Sequence, residues 1–370
     1  MKKTNNIFIV AGGTGGHVIP ALQLSHEFIK NGYKIIFITD KRMFDFVKKN
    51  INDQNIIVLC FKGRGMFKNS LLRNIKSVCL LFFAFIQSLL SVIKYRPLIS
   101  YGFGGGITIP PLIVSKFFNV PIILHEGNII IGKANKFLYK YSNVLTTFFP
   151  VIDNNSNNVF KYKFIGMPVR KEIEDIYKKK YLIKNSELIN ILITGGSLGA
   201  EVMATQIAKA LSSFPKVLKN KVSILQQVRN ENYSYVKSLY DNASINYKLD
   251  TYIENMAESL RWCHLIICRS GAGTIAENLI AGKPAILIPL LTSADNHQVK
   301  NALMIEKIGA AVVIRENELK VLDKLTSNLK NIIFNKDALY TMSKIAKKNA
   351  ILRANKKLVD LGQNIIEGNK

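Results

Sequence analysis

Acidic residues are scarce in this chain. Its 25 Asp and Glu stand against 51 Lys and Arg, a formal net charge of +26. Such an excess favours an anionic partner: nucleic acid, a membrane surface or a phosphorylated substrate. The lysines are scattered rather than clustered and no recognition motif accompanies them, so a nucleic-acid partner is not expected. Cysteine is scarce too. Cys60, Cys79, Cys263 and Cys268 show no metal-type spacing. Cys79 and Cys268 lie in apolar runs and read as core thiols, which fits a reducing compartment. No apolar run reaches the about 20 residues of a spanning helix. The run behind Lys2 and Lys3 soon meets glycine, so no signal peptide is expected. Low-complexity tracts are missing as well.

What is present is alternation. At 370 residues the chain suggests two domains, and 48% hydrophobic content is ample for two cores. Ile7–Val10 is a short apolar run that ends in Gly12-Gly13-Thr14-Gly15-Gly16-His17, and an amphipathic pattern follows from Pro20 to Lys30. This predicts a buried strand, a tight turn and a helix start, where backbone amides and the helix dipole suit an anion. Tyr33–Thr39, Ile56–Phe61, Pro97–Tyr101 and Pro121–Leu124 read as further strands. Gly102–Gly106 is a second glycine turn. A new beginning appears at Ile189–Thr194, followed by Gly195-Gly196-Ser197-Leu198-Gly199-Ala200. Val222–Gln227, His264–Cys268 and Pro284–Pro289 continue the series. Strands alternating with helices imply parallel sheets covered on both faces. The expected class is therefore α/β, with two Rossmann-like domains facing a cleft. The expected divisions are 1–166, a Lys-rich linker over 167–187, a second domain over 188–350, and a helix at 351–370 reaching back to the first domain.

Ser77–Ile93 runs 17 residues without a charge and is flanked by Lys68, Arg73, Lys76, Lys94 and Arg96. One reading is an ordinary crossover helix with one buried face. The other is a crossover helix whose outer face, with Leu80, Phe82, Phe83 and Phe85, dips into an anionic bilayer surface.

Several polar residues fall at the carboxyl ends of strands, where ligands of such sheets bind. Glu277 lies one turn into the helix that follows Arg269–Thr274. It can accept both hydroxyls of a ribose or merely favour the helix dipole. Asp295-Asn296-His297-Gln298 suits sugar hydroxyls, or caps the next helix. His17 can act as a base near neutral pH, or serve as a capping group. His125, Glu126 and Asn128 are expected to face the same cleft. A dinucleotide-binding dehydrogenase is a weaker fit. Gly13-Thr14-Gly15 starts that fingerprint and Asp40 sits where a ribose-binding acid belongs, but Val18 occupies the third glycine position.

The ordered set of Gly12–His17, His125-Glu126 with Asn128, Gly166-x-Pro168-Val169-Arg170, Gly195-Gly196-Ser197-x-Gly199-Ala200, Arg269-Ser270-Gly271-Ala272-x-Thr274-x-x-Glu277 and Asp295-x-x-Gln298 resembles the MurG family of peptidoglycan glycosyltransferases. The resemblance runs from about residue 7 to 350. It implies a GT-B fold and inverting transfer of N-acetylglucosamine from UDP-N-acetylglucosamine to the C4 hydroxyl of the N-acetylmuramoyl unit of lipid I. The products would be lipid II and UDP. It implies no cofactor, no metal and a peripheral place on the cytoplasmic face of the plasma membrane. By the same resemblance the donor site is Thr14, Gly15, Gly16, Asn128, Arg170, Ser197, Ile253, Gly271, Ala272, Gly273, Thr274, Ile275, Ala276, Glu277 and Gln298. Gly12, Gly13, Gly104, Gly105 and Gly106 would meet the acceptor diphosphate, and His17 is the candidate base. The chain departs from the family pattern at Gly106, Gly127, Met167 and Leu198. The related alternatives are a nucleotide-sugar 2-epimerase, a glycolipid-forming transferase and a binding module without catalysis.

Overall fold

The computed structural model describes residues 4–51, 53–61, 71–150, 161–183, 188–195 and 201–368. Side chains are described for all of these except 71–79 and 294. Ser197 and Leu198 lie outside the described residues. The chain divides into two compact units, Met1–Val169 with Arg353–Lys370, and Arg170–Leu352.

Among the described residues the first unit has seven strands: β1 Asn6–Val10, β2 Lys34–Asp40, β3 Ile56–Phe61, β4 Ile99–Gly102, β5 Ile122–Glu126, β6 Val144–Thr147 and β7 Tyr162–Phe164. All pair in parallel, in the order β3-β2-β1-β4-β5-β6-β7. Successive side chains of a strand point to opposite faces. Ile7 and Ile9 thus join one core cluster, while Phe8 and Val10 join another. A parallel sheet with both faces covered needs such unbroken apolar strands.

Helix α1, Gly15–Lys30, carries Val18, Ala21, Leu22, Leu24 and Phe28 into the first cluster. It stops at Asn31-Gly32, where Tyr33 N–H returns to the Phe28 carbonyl. The C-terminal helix Ala354–Gly368 packs on α1, and buried Tyr101 donates its hydroxyl to the Leu358 carbonyl at 2.8 Å. Helix α2, Lys41–Lys49, leaves directly from β2.

Helix α3, Leu71–Tyr95, has an inverted amphipathic pattern. Its buried face carries Ala84, Ser88, Ser91 and Val92, and Ser88 satisfies its hydroxyl on the Ala84 carbonyl. Its exposed side carries Phe82, Phe83, Ile86, Leu89, Leu90 and Ile93. Phe85, expected on the outer face, is half-buried against the second core cluster, and Leu80 is half-buried too. Phe85 points inward because it lies one residue from Ala84 and three from Ser88 on the sheet-facing side. Helix α4, Ile109–Phe117, packs beside α3 and adds exposed Phe117 and Phe118. Among the described residues no helix is long and apolar enough to cross a membrane.

Among its described residues the second unit has six parallel strands: β8 Ile189–Thr194, β9 Val222–Gln227, β10 Asn246–Asp250, β11 Leu265–Cys268, β12 Ala285–Leu287 and β13 Ala311–Val313. Their order is β10-β9-β8-β11-β12-β13. Ile191, Ile193, Leu265, Ile267 and Ile286 meet helix residues such as Ile207, Leu211 and Leu329 in its core.

Candidate active site

In both sheets the strand order reverses beside the first strand of the unit, between β1 and β4 and between β8 and β11. Open α/β sheets bind ligands outside the carboxyl ends of the strands at such a switch point. The glycine turns read from the sequence follow β1, β4 and β8, and the Arg269–Thr274 turn follows β11, so all four leave from switch-point strands.

In the first unit the two glycine turns interlock. Gly12 N–H reaches the Gly104 carbonyl at 3.4 Å, and Phe103 N–H donates to Val10 at 2.9 Å. Thr14 stands at the N-cap of α1, exposed, with no side-chain capping bond. His17 lies in the first turn of α1, half-exposed, with Nδ1 2.9 Å from the Gly12 carbonyl. A carbonyl only accepts, so Nδ1 carries the hydrogen, and in the neutral ring the lone pair is on Nε2. Nε2 lies 3.0 Å from where a Cβ on Gly104 would stand, which sets the base candidate at the joint between the two loops.

Asp40 takes a different part from the ribose-binding acid of the dinucleotide reading. It is 4% exposed and caps α2 through Met43 N–H at 3.3 Å. It also accepts from Gly13 N–H at 3.0 Å and from Arg42 at 2.8 Å. Its oxygens already hold the glycine loop in place.

His125 and Glu126 do not line an open surface. His125 is 1% exposed, with Nδ1 at 3.0 Å from Thr146 Oγ1 and Nε2 facing Met167 Sδ at 3.4 Å. Burial pushes its pKa down to about 3, so it stays neutral. Met167 thus fills the space beside a core histidine. Glu126, also buried, accepts from Asn128 N–H and Gly132 N–H at 3.0 and 2.8 Å, and from the Asn135 side chain at 3.0 Å. Its carboxylate shapes the loop that presents half-exposed Asn128. The strand runs two residues longer than its apolar run, which carries both residues into the sheet.

In the second unit Glu277 pairs with Arg170, Nη1 to Oε1, at 2.7 Å. Both are largely shielded, with side chains 14% and 30% exposed. Desolvation raises the Glu277 pKa, and the Arg170 charge and hydrogen bond oppose that rise. Gly271 is the N-cap of the helix Ala272–Ala281 and has extended backbone. The amides of Ala272, Gly273 and Thr274 open that helix, while Ile275 N–H already bonds the Gly271 carbonyl and Ile275 and Ala276 are buried. At this turn Gly271, Gly273 and Thr274 are half-exposed. Arg269 is buried and holds the turn to the Ile288 carbonyl and Glu316. Ser270 is held likewise, donating to the Gln298 carbonyl at 2.8 Å.

Gln298 accepts from Leu290 N–H at 3.1 Å, and among the described residues its NH2 has no hydrogen-bond partner. Asp295 and Asn296 are both left-handed, with φ of 51° and 54°, and Asn296 does not cap the helix His297–Lys307 with its side chain. Asn296 is thus the N-cap by position but not by a side-chain bond, and both side chains are exposed at this carboxyl end. Ile253 lies between β10 and the helix Met256–Trp262. Its side chain is buried, and among the described residues neither its N–H nor its carbonyl has a hydrogen-bond partner. That edge suits a flat base.

The Arg170 contact carries a pH prediction. The Glu277 carboxyl takes up its proton at higher pH than an ordinary glutamate because burial raises its pKa. Arg170→Ala removes the opposing charge, so the Glu277 titration followed by carboxyl NMR should move to still higher pH, and Arg170→Lys should return part of the shift. An unmoved titration would contradict this.

Two family profiles match: the glycosyltransferase family 28 N-terminal domain over residues 7–146, and its C-terminal domain over residues 190–358. The UDP-N-acetylglucosamine–N-acetylmuramyl-(pentapeptide) pyrophosphoryl-undecaprenol N-acetylglucosamine transferase of Caulobacter vibrioides is 30% identical over 354 residues, covering 95% of this chain and 97% of its own. That of Bradyrhizobium diazoefficiens is 32% identical and covers 98% of each chain. The crystal structure of Acinetobacter baumannii MurG superposes with a TM-score of 0.75 at 27% identity, covering 97% of this chain and 99% of that one. The chain belongs to the MurG family. It is a glycosyltransferase with the GT-B fold, two Rossmann-like domains in one chain. Spinosyn rhamnosyltransferase SpnG, at 13% identity and a TM-score of 0.63, shares the fold alone.

Proposed function

We propose that the MurG reaction runs on this chain with the acceptor held by the first unit and the nucleotide by the second. The enzyme transfers N-acetylglucosamine from UDP-N-acetylglucosamine to the C4 hydroxyl of the muramoyl unit of lipid I, with inversion, and forms lipid II and UDP. The observation that carries this reading is the pair of different switch-point sites. One is a double glycine loop with His17. The other is a helix start with shielded Glu277 and Arg170.

In the second unit, Glu277 takes the ribose hydroxyls and the Ile253 backbone takes uracil. The amides of Ala272–Thr274, with Ser197, meet the diphosphate, where negative charge grows as UDP leaves. Gln298 donates its NH2 to the donor. In the first unit, Gly12, Gly13 and Gly104–Gly106 receive the acceptor diphosphate. The acceptor oxygen attacks the anomeric carbon from the face opposite UDP, the C–O bond to UDP breaks, and the hydroxyl proton passes to His17 Nε2. Holding both substrates on one chain replaces a bimolecular encounter. Incubation with a lipid I analogue should add one N-acetylhexosamine by mass and give a β-linkage by NMR. An α-linked product would overturn the inversion. His17→Ala should lower kcat by about 100-fold at unchanged Tm, and an unchanged kcat would remove His17 as the base.

The outer face of α3 supports docking on a lipid surface, where a lipid-linked acceptor resides. Phe82 and Leu90 are 63% and 62% exposed, and Phe117 on the neighbouring helix is 81% exposed. Water makes such a patch unfavourable, and lipid relieves it. Lys94 and Lys116 lie at the ends of α3 and α4, where they can meet anionic headgroups. The double change Phe82→Ser and Leu90→Ser should weaken binding to phosphatidylglycerol vesicles about 100-fold while leaving the core intact. Unchanged co-sedimentation would return α3 to an ordinary crossover helix.

A further inference from the structure

We propose that Arg42 binds the acceptor's diphosphate, a part that neither the sequence motifs nor the glycine loops assign to it. The inference rests on the reading that the glycine loops of the first unit take the acceptor. Arg42 lies in the first turn of α2, directly after β2, which pairs with β1. Its Nη2 donates to Asp40 Oδ2 at 2.8 Å, and the same oxygen accepts from Gly13 N–H at 3.0 Å. The guanidinium is thus tied to the loop and not left to wander. A Cβ built on Gly13 would stand 3.7 Å from Arg42 Nη2 and 3.9 Å from His17 Nδ1. The space in front of Gly13 is therefore flanked by a fixed cation and by the base candidate. The Arg42 side chain is 68% exposed, so its remaining N–H groups are open to a ligand.

An exposed ion pair alone contributes little to stability. Here the pair has an electrostatic reason. Asp40 is buried directly behind the loop, and its carboxylate would repel an incoming diphosphate. Arg42 offsets that charge at the point of contact. A planar guanidinium also matches phosphate oxygens two at a time, which backbone amides do not. The sequence reading passed over Arg42 because it lies outside every glycine motif. It reaches the loop only through the pairing of β2 with β1.

The test compares two acceptors with the same muramoyl sugar, one with a diphosphate linker and one with an uncharged linker. Arg42→Ala and Arg42→Gln should each raise KM for the diphosphate acceptor about tenfold or more. KM for UDP-N-acetylglucosamine and for the uncharged acceptor should stay at the wild-type values. Arg42→Lys should recover part of the loss. Lys49→Ala, which removes the same charge from the far end of α2, should leave the diphosphate KM unchanged. An unchanged diphosphate KM in Arg42→Ala and Arg42→Gln overturns the proposal, as does an equal rise for both acceptors. Wild-type enzyme that turns over neither acceptor would instead overturn the acceptor reading of this unit.

Discussion

Glu277→Ala is expected to lower kcat/KM for UDP-N-acetylglucosamine by about 100-fold or more, with the acceptor KM unchanged. Two hydrogen bonds to a carboxylate contribute about 1.5–3 kcal/mol each. Their joint loss is of that size in rate. Glu277 is well placed for the part because it is shielded and because Arg170 holds it at 2.7 Å. Removing it also leaves a half-buried guanidinium without its carboxylate. Glu277→Gln keeps the shape and loses the charge, so it should fall between the two. The sharper readout uses a donor whose ribose lacks its 2′-hydroxyl. Wild type should discriminate strongly against it, and Glu277→Ala should lose most of that discrimination. Full discrimination in the variant would place the ribose elsewhere.

Gly105→Ala should sharply weaken acceptor use while the second unit still binds UDP. Gly105 has φ of +86°, and a Cβ there would stand 2.6 Å from the Gly12 carbonyl oxygen and 3.0 Å from its carbon. Those atoms are backbone and cannot rotate away. Gly12 itself is wedged, since its own Cβ would stand 2.6 Å from Ile107 Cγ2. The strained backbone alone costs about 1–3 kcal/mol, and the collision adds to that by forcing the two loops apart. The expected result is a fall of about 100-fold or more in kcat/KM for the acceptor, with a lowered Tm. UDP affinity, measured by calorimetry, should hold. Gly106→Ala meets nothing within 4 Å and should leave the Tm in place. Wild-type acceptor kinetics in Gly105→Ala would show that the loop junction is not part of the site.

Much of this architecture was legible in the sequence because apolar strands and glycine turns alternate. Ile56–Phe61 and Val222–Gln227 have the bounds their β-rich runs imply. β6, β7, β10 and β13 are missing from the sequence reading, and the reason is physical. β6 and β13 are only 4 and 3 residues long, all three residues of β7 are exposed, and β10 is a polar edge strand. Spatial order was hidden as well. Only strand pairing places the turn after β4 against the turn after β1, and only that pairing brings Asp40 and Arg42 to Gly13. His125 shows the opposite case. A histidine beside a glutamate and an asparagine reads as chemistry, yet burial against Phe103, Thr146 and Met167 makes it a core residue. The orientation of α3 also escaped a reading by composition. Its charge-free run signals apolarity all round, but only the packing of Ala84 and Ser88 shows which large side chains are left outside.

The most direct test of the central claim is UDP release from UDP-N-acetylglucosamine by the purified full chain, with and without a lipid I analogue. The account predicts slow release without acceptor, a large acceptor-dependent rise, and one disaccharide-linked lipid formed per UDP released. Acceptor-independent conversion of the donor, or tight UDP binding with no turnover on any lipid-linked muramoyl acceptor, would contradict it.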